Sequence, residues 1–119
     1  MPAELKVVAR MVNSGITVLD VSGDLDVAVL PILNEKLEGV IRLGGAKLIV
    51  NCDEIGYINS TAIAFLVQKM KKIQRRGGAF ALCNLSAYNN TVMKLTGASK
   101  RMPIYSSEED AAKALQAKQ

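Results

Sequence analysis

Apolar residues recur at helical spacing through the middle of this chain. Ile63, Leu66, Val67, Met70 and Ile73 form a stripe between Asn59 and Gly77-Gly78, the mark of an amphipathic helix with one face turned to a core. Asn59 is a good N-cap, so the spacing predicts a helix from Ser60 to about Arg76, stopped by the two glycines. Leu33, Leu37, Val40 and Ile41 share a face in the same way within residues 30–43. Pro31 suits the first turn of that helix, where its missing N–H costs nothing, and Gly44-Gly45 end it. Residues 47–52 (KLIVNC) and 79–85 (AFALCNL) are short apolar runs and read as buried strands.

Residues 4–11 and 16–21 are strand-like around Asn13-Ser14-Gly15, which predicts a β-hairpin. The strand period stops at Ser22-Gly23-Asp24-Leu25-Asp26. Further on, residues 87–95 predict a short helix ending at Gly97, and residues 102–105 a brief edge strand held short by Pro103. Ser107-Glu108-Glu109-Asp110 has the form of a capping box for a last helix to about Ala117. The order is ββαβαβαβα. Strands alternating with helices after a hairpin imply βαβ crossovers, hence an α/β fold with a mixed, mostly parallel central sheet and helices packed against it.

Composition narrows the picture. A chain of 119 residues, half of them apolar, supports one domain over residues 1–119 with a single core. Aromatics make up only 4% of it, so the core must be aliphatic. Cys52 and Cys83 fall inside the two buried strands without CxxC spacing, and read as a reduced pair of small apolar side chains. Residues 1–12 carry Glu4, Lys6 and Arg10, which argues against a signal peptide, and no apolar run reaches the length of a membrane span. A soluble, cytoplasmic protein is expected.

The net charge of +4 favours an acidic partner. Lys69, Lys71, Lys72, Arg75 and Arg76 concentrate it near one helix C-terminus, where the helix dipole favours cations and a solvated face is the ordinary outcome. Without interleaved aromatics or a known module, direct nucleic-acid binding is not expected. The chain has no histidine, which removes Ser–His and Cys–His nucleophiles and most zinc sites. It has no Walker-type or GxGxxG loop either. No cofactor, metal or catalytic residue is expected. A receiver domain would share the α/β order, with Asp53 as its central aspartate. It should start on a single strand, however, and no matching lysine follows a last strand.

The richest local chemistry lies at residues 53–64 (DEIGYINSTAIA). Ser60 and Thr61 occupy the first turn of the long helix, where hydroxyls meet solvent beside unpaired backbone N–H groups. A phosphate added there finds donors waiting. The same residues also fit an ordinary helix start, and Asp24 and Asp26 also fit turn and cap positions. Tyr57 reads as a half-buried anchor or a contact residue. Ile58 and Ile63 suit a hydrophobic staple.

Gly23-Asp24-Leu25-Asp26, Pro31, the 47–52 strand and Asn59-Ser60-Thr61-Ala62-Ile63-Ala64, in this order and spacing, resemble the STAS domain. The similarity covers nearly the whole chain and is greatest to free-standing bacterial anti-sigma factor antagonists. It implies a partner-switching regulator, a binding protein that is not an enzyme. Such a protein binds an anti-sigma factor, a serine kinase of GHKL type, and is released when phosphorylated; a phosphatase resets it. The resemblance makes Ser60 the phosphoacceptor, with Thr61 the second choice. It makes Asp24, Asp26, Tyr57, Asn59, Ser60, Thr61 and Ala62 the partner-binding surface.

Three positions depart from the family's D-S-(S/T/A)-G-(L/I)-G. Asn59 stands for the aspartate, and Ala62 and Ala64 for the glycines. Asn caps as well as Asp but lacks its charge. The alanines stiffen the helix by about 1 kcal/mol each relative to Gly, and their methyl groups take up space near a docking partner. The alternative reading is a constitutive STAS adaptor, a subunit of a lipid-transport ATPase complex or a stressosome-like assembly, whose serine is not modified. Oligomeric state is left open.

Overall fold

Five strands lie side by side in sequence order. In this computed structural model, which describes residues 5–12, 15–44 and 46–117, the strands are β1 (Lys6–Val12), β2 (Ile16–Leu25), β3 (Lys47–Ile58), β4 (Ala79–Cys83) and β5 (Ile104–Tyr105). β1 pairs antiparallel with β2, and every later neighbour pairs in parallel. The helices are α1 (Leu30–Ile41), α2 (Ser60–Arg75), α3 (Ala87–Leu95) and α4 (Glu108–Gln116). The turn expected at Asn13-Ser14 lies outside the described residues, as does Gly45.

This order decides where the helices go. Each crossover from β2 onward steps the same way along the sheet, and right-handed crossovers then stack α1, α2 and α3 on one face. The strands alternate accordingly. Leu19, Val21, Leu48, Val50, Cys52, Phe80 and Leu82 join the buried residues of α1, α2 and α3 in the main core. Ile16, Val18, Ile49, Ala79, Ala81 and Cys83 face the other way, against Ala111, Ala112 and Leu115 of α4. The small residues on both sides of that second interface let α4 sit close to the sheet. Burial pushes the Cys83 thiol up to about 11 and raises that of Cys52 further, so neither thiol ionises at neutral pH.

Two strands run further than their sequence patterns indicate. β2 continues to Leu25 instead of stopping at Val21, and β3 continues to Ile58 instead of stopping at Cys52. Register slips between Asp20 and Ser22 and between Gly23 and Leu25 each place an extra residue in β3. Those irregularities break the two-residue alternation and bend the pair. Gly23 supplies the backbone that the slip needs, at φ +116.

Elsewhere the ends shift by a residue or two. β4 stops at Cys83 because Asn84 turns left-handed, at φ +60. α2 closes in a Schellman turn: Gly78 N–H donates to the Ile73 carbonyl at 2.9 Å and Gly77 N–H to that of Gln74 at 3.0 Å. No helix among the described residues is long and apolar enough to cross a membrane.

Candidate functional site

The bulged extensions of β2 and β3 carry two connections to one place. Asn59 N–H donates to the Leu25 carbonyl at 3.0 Å, tying the end of β3 to the end of β2. Asn59 then caps α2, its Oδ1 accepting from Ala62 N–H at 2.9 Å. Ile58 and Ile63, which flank the cap, are both buried in the main core. The chain therefore enters α2 at a fixed angle, with Ser60 and Thr61 exposed on its first turn.

Asp24 and Asp26 have different local roles. Asp24 is exposed, and its carboxylate reaches over Gly56 on the neighbouring strand. Asp26 Oδ1 accepts from Ala28 N–H at 3.0 Å and so caps the 3₁₀ turn Val27–Val29 that leads into α1. The turn reading of Asp26 thus holds in the structure.

Of the seven residues named as a surface, six reach solvent at least in part. Ala62 does not: it is 0% exposed and packs in the main core. It lies four residues before Leu66, on the edge of the apolar stripe, so its methyl group faces the sheet and is removed from any docking face. Ala64 is the exposed one of the two alanines. Tyr57 is 44% exposed and projects outward instead of anchoring inward, because Ile55 and Ile58 take the buried positions at that end of β3.

A groove of about 180 Å³ opens beside Ser60. Ile63, Ala64 and Val67 of α2 form one wall, and Thr96, Ala98 and Arg101 close it from the α3–β5 connection. Thr96 and Arg101 carry no local signature that marks them from sequence. They arrive through the return of the chain after α3.

The basic cluster on α2 is more structural than its charge implies. Glu38 of α1 accepts from Lys69 at 2.6 Å and from Lys72 at 2.9 Å, and Arg76 Nε donates to the Ile41 carbonyl at 3.1 Å. These contacts clamp α1 to α2, and the two lysines, Lys69 first, hold the Glu38 carboxyl down at about 2. On the opposite face, Arg10 bridges Asp20 and Glu108, and Asn51 donates to Asp20 at 2.8 Å. The Arg10 guanidinium, seconded by Asn51, keeps the Asp20 carboxyl low, and the set ties α4 to β1, β2 and β3. Among the described residues no group of three His, Cys, Asp or Glu side chains is placed to hold a metal ion.

The STAS-domain family model matches residues 8–111. The chain belongs to the STAS domain family. Among its relatives is the anti-sigma-B factor antagonist of Bacillus subtilis, 29% identical over 91 residues that cover 76% of this chain and 83% of that protein. The fold matches the crystal structure of an anti-sigma factor antagonist from Mycobacterium paratuberculosis with a TM-score of 0.86, at 21% identity, over 98% of this chain and 99% of that one. It also matches the Bacillus cell fate determinant SpoIIAA in its phosphorylated form, with a TM-score of 0.68 at 21% identity, over 92% of this chain and 98% of that one. The STAS domain here thus presents, at one end of its sheet, an exposed serine at a helix start, an exposed aspartate on the adjoining strand and a small groove.

Proposed function

We propose that this STAS domain, a single unit over residues 1–119, is a cytoplasmic anti-sigma factor antagonist that works by partner switching. Unmodified, it binds an anti-sigma factor that is also a serine kinase of GHKL type. The kinase transfers the γ-phosphoryl group of ATP to the Ser60 oxygen, which loses its proton as ADP departs. The modified protein is released, and a phosphatase restores it. The domain itself binds and is modified; it is not an enzyme.

One observation carries this reading: Ser60 is solvent-exposed on the first turn of α2, in the neighbourhood built by Asp24, Tyr57 and Asn59. The position suits a reversible modification. A phosphate adds about −1.5 to −2 charge at the centre of a docking face. The positive helix end tolerates that charge, so binding is lost while the fold is kept. Names of similar proteins support the regulatory class.

Intact-mass measurement after incubation with ATP and the kinase encoded nearest the protein's own gene tests the proposal. One added phosphate, absent from Ser60→Ala, is the expected result. Ser60→Ala should bind the kinase constitutively and Ser60→Glu poorly. Asn59 and the exposed Ala64 favour a second reading, the constitutive adaptor, since they change the face that a kinase would meet. No phosphate, together with a complex stable regardless of ATP, would select it.

A further inference from the structure

Ser60 and Arg101 line the same groove although 41 positions separate them in the chain, 101 minus 60. Its volume of about 180 Å³ is that of about six water molecules at ~30 Å³ each, room for a phosphate group with part of its hydration. The walls between the two are Ile63, Ala64, Val67 and Ala98, all apolar. The Thr96 hydroxyl is turned to the Val92 carbonyl at 2.9 Å. Arg101 is the one charged residue lining the groove. Among the described residues it forms no ion pair, whereas Arg10, Lys69, Lys72 and Lys113 all do.

We infer that Arg101 is the cation that receives a phosphate carried by Ser60, drawing the modified side chain into the groove. The inference rests on Ser60 being the phosphoacceptor and concerns what the phosphate does once attached. A guanidinium offers a planar fork of N–H donors that fits two phosphate oxygens at once. The apolar walls keep part of the competing water away, and no carboxylate in the groove opposes the approach. The phosphate then occupies the groove and neutralises its cation. Release of a partner follows from a closed recess as well as from charge added at the rim.

The test needs no kinase, because phosphoserine can be installed at position 60 during translation. Phosphorus NMR then follows the second ionisation of the phosphate, about 6 when free. Proximity to Arg101 should lower that midpoint by about half a unit or more, the reduced effect of a cation still open to solvent. Arg101→Gln should raise it again by that amount, to the value that the start of α2 sets without Arg101. Lys100→Gln, an exposed neighbour outside the groove, should leave it unchanged. In the unsubstituted protein the Arg101 Nε–H resonance should shift when position 60 carries phosphate. Equal midpoints with and without Arg101, together with an unmoved Nε–H resonance, would overturn the inference. A kinase that never modifies Ser60 would instead defeat the acceptor assignment and leave this titration intact.

Discussion

The Asp24 carboxylate lies over the α-carbon of Gly56, so close that a β-carbon on Gly56 would stand 2.6 Å from Oδ1. Two neighbouring strands thereby fix where an exposed carboxylate sits beside the start of α2. Gly56→Ala should displace the Asp24 side chain, the flexible partner, and leave the backbone in place. Folding stability should fall by less than about 1 kcal/mol, the cost of an off-rotamer side chain. Affinity for the proposed kinase partner should fall as far as in Asp24→Ala. Chemical denaturation and a binding isotherm on both variants check this. A Gly56→Ala protein that binds as well as the unsubstituted one would remove Asp24 from the interface.

The start of α2 depends on one side-chain bond, from Ala62 N–H to Asn59 Oδ1. Asn59→Ala leaves that N–H without its cap and should cost about 1 kcal/mol, a fall of roughly 4 °C or more in thermal midpoint for a domain of this size. Asn59→Asp keeps the acceptor and adds a negative charge at the positive helix end, so the midpoint should hold or rise by a few tenths of a kcal/mol's worth. Thermal melts of the two variants decide it. Equal losses in both would show that the side chain matters here for something other than capping.

How legible is this site in the sequence? The α2 stripe, the Asn59 cap and the run into Ser60 follow from local chemistry, and all three stand in the structure. The ends of β2 and β3 do not, because the two register slips put Ile55 and Ile58 three residues apart in β3, out of step with strand alternation. Ala62 is expected at the surface for a different reason: the resemblance carries the whole motif onto the docking face, and the pattern does not object, because a methyl group beside an apolar stripe is equally at home on either side of its edge. Its distance of one helical turn from Leu66 is the signal that points inward. Arg101 is beyond the reach of sequence, since only the folding of the α3–β5 connection against α2 brings it to Ser60.

The end of α2 should be as intolerant as its start is tunable. A β-carbon on Gly78 would meet the Ala46 carbonyl oxygen at 2.2 Å and Ile73 Cγ2 at 2.8 Å. The first of these is backbone and also accepts the Ala79 N–H bond at 2.9 Å that starts β4 beside β3. Gly78→Ala must therefore move main chain, and should cost at least about 2 kcal/mol, in the upper range for single substitutions. Gly39→Ala is the control, because its β-carbon meets nothing within 4 Å and a helix interior prefers Ala. Urea midpoints should fall for the first and hold or rise for the second.

Acid should loosen the contact between α1 and α2. Hydrogen bonds from Lys69 and then Lys72 hold the Glu38 carboxyl at about 2, below its ordinary 4.5. Between those values the unfolded chain binds the proton more readily than the folded one, so stability falls as pH falls. The contribution of Glu38 is complete above about pH 5 and drains away between about 4.5 and 2. Its size should stay within about 1 kcal/mol, because Lys72 remains open to solvent and screening weakens the pair. Glu38→Gln keeps the shape and loses the charge. The gap in unfolding free energy between the unsubstituted protein and this variant should be widest at pH 7 and should narrow steadily at pH 4 and pH 3. A gap that stays constant over that range would mean that the lysines do not grip the ionised carboxylate, and that α1 is held to α2 by its apolar face and the Arg76 bond to the Ile41 carbonyl.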